Sequence, residues 1–343
     1  MSKIAVIGGG SFGTIVANII ALNNHDVQFW MRSDELVDEL NSRHENIHYL
    51  LGYIISERVV ATENMKEAVA DASIIFVAVP SSSFREVVQQ VVVHAPADSM
   101  LISTTKGIEA GSFKLMSQIL TEEAPLARIG VLSGPNLAKE IAKKHPTGTV
   151  IASNYEEVRE TVQRILCSDS FKVYTNDDMF GVELGGSLKN IYAIIAGLSA
   201  AIGMGHNTNS MLVTRGLTEM ARFGRELGAD PMTFLGLAGV GDLVVTCSSP
   251  LSRNYRIGQI LGTGKSIKEA VKEVGQVAEG VNTVKLVKEK SDELGVDMPL
   301  VTGLYRIMYE NQPIKNVVSS LTLSEQALDV EFEAKDEKVL NED

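Results

Sequence analysis

Lys189 sits where a charge is costly. Gly185-Gly186-Ser187-Leu188-Lys189-Asn190 runs directly into Ile191-Tyr192-Ala193-Ile194-Ile195-Ala196-Gly197. The second segment is apolar enough for a buried helix, and the small residues before Lys189 leave room beside its side chain. A buried lysine tends to lose its proton, which suits it to acid–base chemistry. The alternative is structural, with the amine reaching solvent or pairing with Glu183. Further along, Gly239-Val240-Gly241-Asp242-Leu243-Val244-Val245-Thr246 places Asp242 and Thr246 one helical turn apart on one face. Such a pair can hold a reacting oxygen or the lysine; the plainer alternative is that Asp242 only caps the helix. Ser252-Arg253-Asn254 is the most phosphate-like cluster in this half, a capping hydroxyl with a guanidinium and an amide near a helix start. A capped surface helix would share that spacing.

An acid–base group of this kind needs a partner reagent, and the chain start supplies a candidate site. Lys3-Ile4-Ala5-Val6-Ile7 reads as a buried parallel strand, and a helical pattern covers Thr14 to Leu22. Between them Gly8, Gly10 and Gly13 fit G-x-G-x-x-G. These glycines turn the chain, admit a pyrophosphate and let helix and strand pack. The second strand, Asp26 to Met31, is followed by Arg32-Ser33 rather than by the carboxylate that holds a ribose 2′-hydroxyl. Arg32 could pair with a 2′-phosphate, so NADP is favoured over NAD, with NAD also allowed and Asp34 close by. Arg32 could equally be a solvated surface residue.

Further strands are expected over 73–80, 99–104, 128–132, 149–152 and 171–174, with Ser81-Ser82-Ser83 capping a helix to about Val93. Lys106 follows one strand end and Gly134-Pro135-Asn136 follows another, where parallel sheets bind ligands. Lys106 could also be an ordinary loop lysine. His44-Glu45-Asn46-Ile47-His48 spells H-E-x-x-H, but it lies in a polar loop without the core helix that a zinc protease requires, so no metal site is expected.

At 343 residues the chain suits two domains. Strand-like runs stop after Thr175 and helical periods follow. The expected division is a dinucleotide-binding domain over 1–180, a helical substrate-binding domain over 181–330, and a charged, frayed tail over 331–343. The formal charge of −12 opposes binding to nucleic acid or an anionic membrane through bulk charge. Cys167 and Cys247 make neither a disulfide framework nor a zinc site. The longest strongly apolar run, Ile191 to Gly203, falls short of the roughly 20 residues of a membrane span. With no basic leader at the start, a cytoplasmic location is expected.

Together these segments, with His44-Glu45-Asn46 and Tyr49-Leu50, Val77-Ala78-Val79-Pro80, Thr104-Thr105-Lys106-Gly107-Ile108-Glu109 and Val277-Ala278-Glu279-Gly280, resemble bacterial NAD(P)-dependent glycerol-3-phosphate dehydrogenases over nearly the whole chain. The resemblance implies an α/β Rossmann domain with a mostly parallel, doubly wound sheet, followed by an all-α domain like that of 6-phosphogluconate dehydrogenase. It implies interconversion of glycerone phosphate and sn-glycerol 3-phosphate, feeding glycerophospholipid synthesis, and a homodimer. It makes Lys189 the proton donor and acceptor, and the spacing of Asp242 and Thr246 adds that pair as the catalytic residues that would hold the reacting oxygen or the lysine. Lys106, Gly134, Asn136, Lys189, Asp242, Ser252, Arg253 and Asn254 would surround the substrate. Besides the glycines, Ser11, Phe12, Arg32, Lys106, Ala138, Arg253, Val277 and Glu279 would contact the cofactor. The chain departs from the family at Asn136, usually Ser or Thr, at Ser187, commonly Ala, and at Tyr255, often Arg.

Overall fold

The computed structural model describes residues 3–323; the tail expected over 331–343 lies outside them. Eight strands form one sheet: β1 (Lys3–Ile7), β2 (Val27–Trp30), β3 (Val59–Thr62), β4 (Ala72–Val77), β5 (Met100–Ser103), β6 (Arg128–Ser133), β7 (Thr147–Ala152) and β8 (Phe171–Asn176). Their spatial order is β3-β2-β1-β4-β5-β6-β7-β8. All neighbours are parallel except β6 and β7. The direction of growth reverses between β1 and β4, which creates a crevice at their carboxyl ends. Side chains alternate across β4: Ile74 and Phe76 join the core on one face, Ile75 and Val77 the core on the other.

β3 has no counterpart among the sequence-based expectations. It is a four-residue edge strand with an exposed Val60, too short to stand out by pattern. The first helix starts at Ser11 rather than Thr14, so the last glycine of the loop is helical. After Gly134-Pro135 the next helix does not open until Ala138.

The sheet ends at Asn176, and a helix of 23 residues, Met179–Ala201, begins almost at once. It is buried nearly throughout because other helices surround it: His206–Glu226, Asp242–Ser248, Arg253–Gly262 and Glu279–Leu294. Backbones touch where Gly197 faces the Arg253–Gly262 helix. A Cβ at Gly197 would stand 1.9 Å from the Tyr255 carbonyl oxygen. No helix among the described residues is long and apolar enough to cross a membrane.

Three helices are capped from elsewhere in the chain. The helices Ser81–His94, Met116–Glu123 and Pro299–Tyr309 follow Pro80, Leu115 and Met298, none of which has a side-chain oxygen to offer. Glu279 accepts from the Ser81 N–H at 3.0 Å, Glu183 from the Ser117 N–H at 3.1 Å, and Glu219 from the Leu300 N–H at 2.6 Å. An acidic group there meets both the unpaired amides and the positive end of the helix dipole. The serine cap expected over 81–83 is thus corrected. Ser81 is the first helical residue, and its hydroxyl also donates to Glu279. Burial pushes the Glu183 and Glu219 carboxyls up to about 7, against the lowering effect of these hydrogen bonds.

Candidate active site

Lys189 lies within the long buried helix and is 7% exposed. Its Nζ donates to Asp242 Oδ1 and, at 2.7 Å, to Thr246 Oγ1. Asp242 is fully buried at the start of the Asp242–Ser248 helix, with Thr246 one turn on. The helix puts both on one face, as the spacing predicts. Asp242 is not a cap, because its oxygens are taken by lysines. Lys106 Nζ donates to Asp242 Oδ2 at 2.7 Å and to the Gly134 carbonyl at 2.8 Å. Two ammonium groups therefore share one buried carboxylate. The pairing of Lys189 with Glu183 does not occur, since Glu183 is engaged by Ser117.

Burial lowers the Lys189 pKa to about 8. Asp242 opposes that shift, and the positive charge of Lys106 adds to it. The amine is thus poised to release and regain a proton near neutral pH. Two of its three donors are committed to Asp242 and Thr246, leaving one for a substrate oxygen.

Glycine permits this convergence. A Cβ at Gly186, one turn before Asn190, would stand 2.5 Å from Ser133 Oγ, so the glycine lets the long helix lie against the end of β6 with that hydroxyl where it is. Ser133 Oγ and Asn136 Oδ1 are buried without a partner among the described residues. Asn136 donates instead to Thr149 Oγ1 at 2.9 Å, and Thr149 donates to the Ser133 carbonyl at 3.0 Å. Asn136 is thus braced at the strand end. The hydroxyl of Ser187, where the family commonly has Ala, shares its proton between the Gly107 carbonyl at 3.2 Å and the Glu183 carbonyl at 3.1 Å.

Asn190 is a site residue that residue patterns did not single out. Its amide donates to the Lys106 carbonyl at 3.4 Å and accepts from Asn254 at 2.8 Å, and Asn254 accepts from the Gly280 N–H at 3.1 Å. This chain ties the loop after β5 to the Ser252-Arg253-Asn254 turn. Ser252 caps that turn through the Tyr255 N–H at 3.3 Å. Arg253 is exposed and donates to the Val277 carbonyl at 2.6 Å. Tyr255 packs against the helical core. The only signal for Asn190 in the sequence was its place beside Lys189.

On the other side, Gly8 has φ of +121°, and a Cβ there would lie 2.5 Å from the Ala78 carbonyl oxygen. A Cβ at Gly13 would lie 2.0 Å from the Gly8 carbonyl oxygen, whereas one at Gly10 meets nothing within 4 Å. The first and last glycines close the loop against strand and helix, and the middle one leaves an open face. The helix Ser11–Leu22 begins without a side-chain cap. An open glycine face and an uncapped helix start fit a pyrophosphate. Phe12 packs on the core beneath, as does Ala138 at the start of its own helix. Arg32 follows β2 and is exposed. Asp34, Asp38, Glu63 and Glu67 line a hollow just beyond that strand end. Among the described residues no group of His, Cys, Asp and Glu could hold a metal ion.

Two family models match the chain. The one described as the NAD-dependent glycerol-3-phosphate dehydrogenase N-terminus covers residues 3–159, and its C-terminal counterpart covers 178–319. This chain belongs to the NAD-dependent glycerol-3-phosphate dehydrogenase family. A glycerol-3-phosphate dehydrogenase [NAD(P)+] of Pseudomonas aeruginosa is 55% identical over 331 residues, covering 96% of each chain. One from Saccharophagus degradans is 53% identical over 330 residues, covering 96% of this chain and 92% of that protein. The crystal structure of glycerol-3-phosphate dehydrogenase from Coxiella burnetii superposes with a TM-score of 0.90 at 36% identity, covering 94% of this chain and 99% of that one. The family is NAD(P)-dependent, and its two-part architecture is the one expected from the sequence: a mostly parallel sheet followed by helices.

Proposed function

We propose that this protein interconverts glycerone phosphate and sn-glycerol 3-phosphate using NADP or NAD. The observation that carries the reading is Lys189, buried and held by Asp242 and Thr246 with one donor to spare. The glycine loop with Ser11 and Phe12, and Arg32, Lys106, Ala138, Arg253, Val277 and Glu279 around it, would hold the cofactor. Bound there, a nicotinamide supplies the hydride that reduces the ketone carbon. Lys189 hydrogen-bonds the ketone oxygen and gives it a proton as negative charge develops, and in the reverse direction it takes that proton from the alcohol. Asp242 and Thr246 fix the amine, and Asp242 keeps it partly charged against burial. Lys106 holds the other oxygen of Asp242 and keeps one donor for substrate. Gly134, Asn136, Ser252, Arg253 and Asn254 complete the substrate side. Arg253 is the residue suited to the phosphate, and holding that remote group fixes the ketone for attack.

Lys189→Ala tests the reading. Turnover of glycerone phosphate should fall by about 10²–10⁴-fold, the usual worth of general acid catalysis, while NADPH binding persists. Near-normal turnover would remove Lys189 from the mechanism.

A further inference from the structure

The H-E-x-x-H sequence, expected in a loop, runs into the short helix Ile47–Leu50 and joins no metal-holding group among the described residues; its asparagine is 3% exposed and faces the glycine loop. Asn46 Nδ2 donates to the Gly9 carbonyl at 2.9 Å and to Thr14 Oγ1 at 2.9 Å. Thr14 Oγ1 donates in turn to the Gly10 carbonyl at 2.9 Å, which also accepts from the Thr14 N–H at 3.0 Å. One side chain thus anchors two successive carbonyls of the loop, one directly and one by relay. In a planar trans peptide the carbonyl and the following N–H point in opposite directions. Drawing the Gly9 oxygen toward Asn46 therefore turns the Gly10 N–H away from it. Drawing the Gly10 oxygen toward Thr14 does the same for the Ser11 N–H. Neither amide donates to another group among the described residues, and the Gly10 face is open.

We propose that Asn46 is a positioning residue that aims the Gly10 and Ser11 amides at the cofactor's pyrophosphate. The proposal rests on the glycine-loop site described under the proposed function. Asn46 can do this because its own segment is fixed to the first helix. Asn18, one turn beyond Thr14, donates to the Ile54 carbonyl at 2.9 Å and accepts from the Ser56 N–H at 2.8 Å. Ser11 Oγ donates to the Tyr49 carbonyl at 3.2 Å. His44 adopts a left-handed φ of 51°, and its carbonyl accepts from the Ile55 N–H at 2.8 Å. The segment 44–56 is therefore a strap across the start of the helix, with Asn46 on its inner side. Asn46 Oδ1 is buried and accepts nothing from the described residues, so the position uses the donor half of the amide. A carboxylate of the same shape would offer no donor and would place a negative charge beside a dianionic ligand.

The test is steady-state kinetics and NADPH titration of the full-length enzyme. Trp30 at the end of β2, the single tryptophan, serves as a fluorescence reporter. For Asn46→Asp the KM and Kd for NADPH should rise about thirtyfold, with kcat and the KM for glycerone phosphate within about twofold. Thr14→Val, which breaks the relay, should raise the same two constants about fivefold, and Thr14→Ser should restore them. If Asn46→Asp does not fold, the Thr14 pair decides the matter. A variant with a lowered melting temperature but unchanged NADPH affinity would show that Asn46 only staples the strap, and would overturn the proposal. Hydrogen exchange separates this from the underlying site. In the unaltered enzyme NADPH should protect the amides of residues 8–14. No protection there would remove the glycine-loop site and this proposal with it; protection together with full affinity in Asn46→Asp would remove this proposal alone.

Discussion

The proposed nucleotide side of the cleft is made mostly of backbone, and the proposed substrate side mostly of side chains. On the first, the contributing atoms are amides of a loop and a helix start, and the residues that matter are those with no side chain. They lie within a few positions of one another. On the second, Lys106, Lys189, Asp242 and Thr246 come from three separate elements, and their chemistry depends on one shared carboxylate. The contrast shows two ways of placing charge. A backbone site is shaped by what is left out, so it fails by intrusion. A side-chain site is shaped by mutual support, so it fails when one member is removed and the others lose their partner.

The strongest test of the contrast is an intrusion on the backbone side. Gly13→Ala adds only a methyl group, but that group would collide with the Gly8 carbonyl oxygen at 2.0 Å. The helix must move off the loop. We expect the KM for NADPH to rise about a hundredfold, read by NADPH titration alongside a thermal melt. Normal affinity would mean that the loop tolerates intrusion and the contrast is false.

A smaller effect probes mutual support on the other side. In the proposed mechanism reduction needs Lys189 in its charged form, so kcat/KM for glycerone phosphate should fall as pH rises through about 8. Lys106→Met removes a positive neighbour that disfavours that charge. The residual activity should then keep its alkaline limb to higher pH. A limb that stays in place would mean that Lys106 contributes nothing and that burial, opposed by Asp242, sets the Lys189 pKa.

The smallest effect concerns stability. Glu183 holds its proton in the folded protein up to about 7, above the ordinary carboxyl value of 4.5. The folded state therefore binds more protons than the unfolded one across that window. This contribution to stability is full below 4.5 and is lost as pH rises through about 7. Glu183→Gln removes the titration and keeps an acceptor for Ser117. The decline of melting temperature between about pH 5 and 8 should flatten.

The backbone side could be read from the sequence, because its signal is local: a strand, three glycines at fixed spacing and a helix. Lys189 could also be found, since a lysine inside an apolar helix contradicts its surroundings. The Asp242 and Thr246 pair was legible as a spacing that could hold the lysine, but the second amine on Asp242 was not. Spacing along one helix does not tell which distant amine it meets, and Lys106 is 136 positions away from Asp242. Asn190 was hidden because an amide beside Lys189 looks like any polar neighbour. Asn46 stood in a stretch that carried the family resemblance, but nothing in the sequence tells that its amide would meet the Gly9 carbonyl and Thr14. β3 was missed because four residues on a half-exposed edge carry too little pattern. The serine cap expected at residue 81 failed because the true capping group, Glu279, lies 198 positions downstream.

That distant capping has a consequence for anyone who would take the chain apart. The sheet ends at Asn176, which looks like a natural place to cut. A fragment carrying only the sheet would start two of its helices, at Ser81 and Met116, with bare amides, because Glu279 and Glu183 would have left with the other piece. The helical fragment would keep two acids with nothing to hold, one of them in what had been a dry interior. The halves are separate in architecture but not in composition. A chimera made by exchanging them between relatives must exchange these acids and their partners together.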